Sequence, residues 1–523
     1  MLAAWAPLRH QTYRSLWIAQ FTSNVGGFMQ VVGAVWLMGT LGGTPALVAL
    51  VQTAMSTPTL FFSIPAGAIA DLVDRRKLIL AMQVGMLCLA LTLAVITHYG
   101  LVTPALLLAI TFALSTGLAI NTPAWSALQP ELVPKADFPQ ALTLQAASQN
   151  LARVVGPAIG GVILAFTGPE AVFTLNALSY VGVIVVLLRS PQLRGTRSGD
   201  RERLIPALIS GARYARYARS LRGTLIRCVA LTIPASATMA LLPVVARDEL
   251  ALDSRGYGVL LACYGIGAVS GSFVLPTLRR RIGTDRTVMF GIAALSVNLV
   301  SLGLMRSPFV IGALLVVGGF GWICSLSTLM VAAQTALPSW VRARGIGFFF
   351  LAFQGGVGIG SAIHGFVADR GSLTIAYGVA VVALVVGWFV TRRFSLARID
   401  QLELQPATGL VEIPEPADGL GTDEPIVVTV EYRVDASRRD EFVDTMQRVE
   451  RMRRRVGALS WSLDRDGADP ARFRETYRAP SWLDYRRSRS RMTVSDQKIE
   501  EAVAPFAVAR GVDAYAPEAI LPS

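Results

Sequence analysis

Ile64-Pro65-Ala66-Gly67-Ala68-Ile69-Ala70-Asp71-Leu72-Val73-Asp74-Arg75-Arg76-Lys77 is the stretch from which the architecture follows. An apolar run closes on an acid, Asp71, and then reaches Arg75, Arg76 and Lys77, the pattern of a membrane span delivering its chain into a basic cytoplasmic loop. A shift of 204 positions finds a second copy, with Gly67 falling on Gly271 and the basic triplet on Arg279, Arg280 and Arg281. The same shift carries Gly156, Ala158, Ile159 and Gly161 onto Gly360, Ala362, Ile363 and Gly365, and Pro134 onto Pro338. One constant shift relating three separated places implies two parallel, related halves. Leu275 stands where the first copy has Asp71, so only one half keeps the acid.

Composition agrees. With 53% hydrophobic and 16% charged residues and a mean hydropathy of +0.51 over 523 residues, the chain is too apolar for a soluble protein. A helix needs roughly 20 apolar residues to cross the hydrocarbon. Twelve such stretches fall near residues 16–41, 46–71, 78–98, 103–123, 140–166, 171–189, 224–246, 256–278, 287–305, 308–333, 345–368 and 373–391. Of the 30 Lys and Arg in residues 1–400, 25 lie in the N-terminus, the even-to-odd loops and the segment after span twelve. Arg247, Arg255, Arg306 and Arg370 fall on the other side, and Arg153 lies inside a span. That asymmetry places both termini in the cytoplasm and reads the net charge of +13 as orientation, not as a nucleic-acid face. Cys88, Cys228, Cys263 and Cys324 all lie in apolar spans, as packing residues and not a disulfide framework. Arg9 and Arg14 precede a first span too long for a signal core, so the chain is expected to insert uncleaved.

The spacing Gly67, Asp71, Arg75, Arg76 resembles the loop motif between the second and third helices of major facilitator superfamily transporters. Asp74, in place of the usual second glycine, is similar to the drug and siderophore (enterobactin exporter-like) branch, as is the opening Pro7-Leu8-Arg9 with Tyr13-Arg14-Ser15-Leu16-Trp17. Gly156-Pro157, followed by Gly160 and Gly161, resembles the glycine-proline signature in helix five of exporters of the superfamily. The resemblance implies an all-α polytopic membrane protein with 12 transmembrane helices in two six-helix bundles, working by alternating access. It implies a gate at Gly67, Asp71, Arg75 and Arg76, repeated at Arg279 and Arg280, in which Asp71 meets the start of helix eleven near Arg342 or Arg344. Many proton-coupled members carry an arginine in span four; here the span has Ser115, Thr116 and Gly117, which puts proton antiport by that route in doubt.

Candidate substrate ligands are Asn24, Gln52, Gln149, Asn150, Arg153 and Gln354. Gln145, Gln149 and Arg153 recur every four residues and share a helix face. A charge in mid-membrane is expensive enough to make function the default reading. Arg153 is read either as an anchor for an anionic or hydroxyl-rich substrate or as a structural partner of Glu131 or Asp137. Asn24 and Gln52 either line the cavity or make a plain interhelical hydrogen bond. His364, where the first half has Gly160, either carries a proton or packs. Gly156 and Pro157 either let span five bend with a neighbour lying close or make a static packing kink.

The expected domains are a six-helix bundle over 1–192, an interfacial linker helix over 193–222, a second bundle over 223–400, a flexible linker over 401–425 and a cytoplasmic domain over 426–515. In the linker helix Arg213, Arg216 and Arg219 stand opposite Leu204, Leu208 and Leu221, suited to anionic headgroups. The last domain reads strand over 425–434, helix over 437–455, strands over 458–465 and 472–477, a helix over 481–491 and a helical or irregular stretch over 495–503. That βαββα order fits a small α+β ferredoxin-like fold. The domain resembles the cytoplasmic module appended to some exporters of the branch and, more distantly, antibiotic biosynthesis monooxygenases. Trp461 and Trp482 are expected as core aromatics, since no histidine, cysteine, nucleophile triad or nucleotide loop accompanies them.

The expected function is export of a small amphipathic molecule such as a siderophore, drug or secondary metabolite across the inner membrane, driven by an ion gradient. The expected partners are that substrate and the lipid bilayer, with dimerisation through the C-terminal domain left open. No cofactor, metal or nucleic acid is expected, and no enzyme activity. The alternative is a membrane-tethered enzyme or sensor whose active part is the C-terminal monooxygenase-like domain.

Overall fold

A computed structural model describes residues 2–128, 132–134, 137–190, 204–338, 340–394, 396, 403–405, 407 and 426–509. They form two compact units, one of Met1–Arg201, Ile226–Leu329 and Phe350–Arg393, the other of Glu202–Leu225, Met330–Phe349 and Phe394–Ser523.

The first unit is helical. Helices α1 (Gln11–Thr40), α2 (Pro45–Leu72), α3 (Arg75–His98), α4 (Pro104–Leu128), α5 (Phe138–Thr167) and α6 (Pro169–Arg189) make one half. After α7 (Leu204–Tyr217), the other half runs through α8 (Arg219–Val244), α9 (Ser254–Ile282), α10 (Thr284–Leu304), α11 (Pro308–Thr335), α12 (Arg342–Arg370) and α13 (Leu373–Thr391). Twelve long helices thus match the twelve apolar stretches, and 11 are long and apolar enough to cross a membrane by length and composition alone. The exception is α1, whose interior buries Gln20, Ser23, Asn24 and Gln30. Its polarity is turned inward against other helices, where hydrogen bonds are available.

Local chemistry sets the helix ends. Asp74, the residue that departs from the family motif, accepts a hydrogen bond from the Lys77 N–H at 3.1 Å and so caps α3, a residue type favoured there. Asp253 and Ser372 cap α9 and α13 in the same way. Small residues let helices close up: a Cβ on Gly26 of α1 would lie 2.7 Å from the Ser179 hydroxyl of α6.

The second unit contains α7, the first turn of α8, residues 330–349 and the C-terminal domain. That domain is a four-stranded antiparallel sheet, β1 (Ile426–Arg433), β2 (Ser460–Arg465), β3 (Arg472–Ala479) and β4 (Ala507–Ala509), in the order β2-β3-β1-β4. With α14 (Arg439–Val456), α15 (Trp482–Ser490) and α16 (Val494–Val503) it is a ferredoxin-like βαββαβ fold. Period-two alternation buries Ile426, Val428 and Tyr432 of β1 with Phe473, Tyr477 and Ala479 of β3. Phe442, Met446, Val449 and Met452 recur along α14 at helical spacing and pack into the same core. Trp482 is buried in a second cluster with Ile426, Val428, Tyr477 and Tyr485, and the partly buried Trp461 packs against both. The closing strand β4 lies beyond the βαββα reading, because three residues are too few to show an alternation.

Candidate transport site

Arg153 lies in the middle of α5. Its guanidinium carbon is 5.9 Å from the centre of the Phe28 ring of α1 and 5.8 Å from that of Phe353 of α12. The rings come from different halves, so the charge is held by cation–π contacts where the halves face each other. Trp322 of α11 backs Phe353, with ring centres 6.2 Å apart. Among the described residues the guanidinium has no carboxylate and no hydrogen-bond partner, and it is only partly buried. Asp137, one of the two structural partners considered, is instead 3.0 Å from His10 Nε2; Glu131 lies outside the described residues.

The other candidates are placed less tightly. Asn24, one turn before Phe28, is buried; its side-chain oxygen accepts from Gln20 Nε2 at 3.0 Å within α1, and its Nδ2 has no partner among the described residues. Gln52, Gln149 and Gln354 are partly buried on α2, α5 and α12. No hydrogen bond joins Asn24, Gln52, Gln149, Arg153 and Gln354 among the described residues, and the Asn150 side chain lies outside them. A polar ladder absent from the candidate set joins α1 to α6: Asn176 Nδ2 donates to Gln30 Oε1 at 3.0 Å and lies 3.3 Å from the Tyr180 hydroxyl. Asn176 and Tyr180, four apart in span six, were the available signal.

The glycine-proline stretch of α5 is a seam. A Cβ on Gly156 would lie 3.0 Å from the Val25 carbonyl oxygen, and one on Gly160 would lie 2.9 Å from Met29 Cα, so α5 rides directly on α1. Gly161 faces the other half, where a Cβ would fall 2.7 Å from Gly258 Cα of α9. Pro157 is partly buried between them. His364 is buried, and its Nδ1 donates to the Gly360 carbonyl at 2.6 Å on its own helix.

Further bonds between halves lie away from the basic loops. Thr53 Oγ1 of α2 donates to the Gly358 carbonyl of α12 at 2.9 Å. Trp36 stacks on Tyr257 with centres 5.2 Å apart. Arg255 Nε donates to the Ala165 carbonyl at 3.3 Å, and Arg247 Nη1 donates to the Gly39 carbonyl.

At the basic loops, Arg75 is buried and Arg76 reaches the carbonyl end of α6, donating from Nε to Leu187 O at 3.0 Å and from Nη2 to Leu188 O at 3.3 Å. A cation there also meets the negative end of the helix dipole. The Gly67 and Asp71 side chains lie outside the described residues. In the second half Arg279 is partly buried and Arg280 exposed. There the equivalent tie comes from Arg227 of α8, which the motif search did not single out. It donates to Asp285 at 2.6 Å and to the Thr391 carbonyl at 3.2 Å, at the end of α13.

Twelve long helices in two halves are the frame of a membrane transporter, and the family to which the chain belongs agrees. The chain belongs to the transmembrane secretion effector family of the major facilitator superfamily, whose family model matches residues 2–514. It is 24% identical over 392 residues to the staphyloferrin A transporter of Staphylococcus aureus, covering 72% of this chain and 96% of that one. It is 26% identical over 377 residues to the enterobactin exporter EntS of Escherichia coli O1:K1, covering 68% and 85%. The fold is similar to that of the nucleoside transporter NupG, with a TM-score of 0.58 at 14% identity, over 73% of this chain and 100% of that one.

Proposed function

We propose that the chain exports a small amphipathic, oxygen-rich molecule, such as a siderophore, drug or secondary metabolite, across a bacterial inner membrane. Both termini are cytoplasmic, and the halves alternate in access under an ion gradient. The observation that carries this reading is Arg153, a charge placed at the junction of the halves with aromatic rings on two sides and no carboxylate partner among the described residues. Such a group holds an anionic or hydroxyl-rich ligand through charge-assisted hydrogen bonds, while the rings take its apolar part. The partly buried amides Gln52, Gln149 and Gln354, with Asn24 and Asn150, add donors and acceptors along the same path. The names of two relatives, a staphyloferrin A transporter and an enterobactin exporter, support a siderophore-like substrate.

Asp71, Arg75 and Arg76 are read as the gate on the side of the basic loops. The test is efflux from cells or uptake into everted vesicles, with a compound panel that includes catecholate and citrate-type siderophores and with an uncoupler. Arg153→Gln is expected to abolish transport of the active compound while the protein still inserts and folds. Full transport by that variant would sink the reading.

A further inference from the structure

Helix α14 carries an unbroken run of arginines near its end, and its neighbours divide them into two groups. Arg453 bonds Glu500 at 2.7 Å and Glu475 at 3.3 Å, Arg454 bonds Glu450 at 2.8 Å, and Arg455 bonds Asp496. Arg451 and Arg448, one and two turns before Arg455, have no carboxylate partner among the described residues. At spacing i, i+3 they share a helix face.

That face meets the junction of α7 and α8, within the same compact unit. The Arg454 guanidinium lies 5.9 Å from the Tyr217 ring at the end of α7, and that of Arg455 lies 5.8 Å from the Tyr214 ring. Arg213 Nη1 donates to the Gly457 carbonyl at 2.6 Å. So Arg213, read from sequence as a headgroup contact, is committed to the C-terminal domain. Arg219 belongs to a different helix, as the first residue of the span α8. Arg216 and Arg222 flank it and are exposed.

Tyr217, met by the Arg454 guanidinium, stands two residues before Arg219, and Arg451 stands one turn before Arg455, so this contact brings the start of α8 toward the Arg448–Arg451 face, and the charges of Arg219 and Arg448 act on Arg451. After burial, their like charges are what hold its proton affinity below that of an ordinary arginine, offset only by Glu450. Glu450 is already shared with Arg454. Like charges on three helices, with no carboxylate paired to Arg448 or Arg451 among the described residues, repel one another, and an anion placed among them relieves that repulsion. Guanidinium groups suit a phosphate, which they can grip with paired N–H donors. The first residue of a membrane span stands at headgroup depth.

We infer that Arg219, Arg448 and Arg451, flanked by Arg216 and Arg222, form a binding site for the phosphate of an anionic phospholipid in the leaflet that α8 enters. The lipid becomes a third member of the joint between the C-terminal domain and the membrane span. This goes beyond transport of the substrate and does not depend on its identity.

The experiment is native mass spectrometry of the full-length protein in detergent, titrated with phosphatidylglycerol or phosphatidylcholine. The wild type is expected to retain the anionic lipid several-fold better. R219Q/R448Q/R451Q should bring the ratio close to one, whereas the corresponding triple lysine variant, which keeps the charge, should retain most of the preference. R433Q/R472Q/R478Q removes the same charge from exposed positions of the sheet and should leave the ratio intact. An unchanged ratio in R219Q/R448Q/R451Q overturns the site, and an equal loss in the sheet variant reduces it to bulk charge. Inorganic phosphate displacing the lipid at low millimolar concentration would overturn the lipid as the occupant in favour of a soluble anion.

Discussion

Two buried or half-buried arginines, Arg453 in the C-terminal domain and Arg153 in the helical bundle, have opposite surroundings. Arg453 is enclosed by Glu475 and Glu500, with Tyr477 beside it at 4.9 Å, and Glu475 also accepts from the Tyr432 hydroxyl at 2.6 Å and from Trp461 Nε1 at 3.0 Å. Burial alone would lower its proton affinity, but these neighbours together hold it well above the ordinary arginine value. Arg153 has two aromatic faces and no acid among the described residues. A charge neutralised by its own domain serves the fold, because removing it leaves buried carboxylates stranded. A charge with no counter-ion among the described residues is the one proposed to meet a substrate that arrives and departs.

The largest effect expected from this contrast is on stability. Arg453→Met should destabilise the C-terminal domain by about 3–5 kcal/mol, the range for breaking a buried ion pair from one side, seen as an earlier domain transition in a melting scan of the full chain. Arg153→Met should leave melting nearly unchanged and remove transport. If the two variants melt alike, the distinction between a structural and a ligand-binding arginine is lost. Next, Arg153→Lys should lower substrate affinity by roughly tenfold, about 1.4 kcal/mol, because a lysine keeps the charge but not the planar fork. Transport rates against substrate concentration check this.

A smaller effect tests the same network by pH. Burial would raise the Glu500 pKa, but Arg453 and Arg489 outweigh it and hold the carboxylate below its ordinary value. A depressed folded pKa contributes stability that is complete above the unfolded value of about 4.3 and is lost as pH falls through the folded one. The domain transition should therefore hold from neutral pH to about pH 5 and fall on further acidification, and Glu500→Gln should flatten that fall. The smallest expected effect is in the helical bundle. Asp74→Ala removes the cap of α3 and should destabilise it by about 1 kcal/mol, read as a modest shift of the bundle transition.

What was legible in sequence was whatever repeats locally. Apolar length marked the twelve helices, a constant shift marked the two halves, and alternation marked β1, β2 and β3. Arg153 stood out because a charge inside an apolar run is visible without a partner. Its aromatic neighbours were not visible, since Phe28 and Phe353 are brought to it by packing and look like any other membrane phenylalanine. For the same reason the Arg227 tie to Asp285, the His10 contact to Asp137 and the Gln30–Asn176 bond escaped notice, each joining residues far apart in the chain. Reading residues up to 222 as one helix ran past the break at Ala218, where a small apolar residue carries no stop signal.

Gly161 and Gly258 meet backbone to backbone at the boundary of the halves, and at that one point neither brings a side chain to interlock. Bare surfaces can separate and rejoin without any rotamer having to unthread, so reopening there is opposed mainly by lost dispersion contact and not by steric catch. Adding a single methyl at either position would turn a smooth joint into a notched one, slowing the turnover of whatever motion passes through it more than it shifts the resting balance.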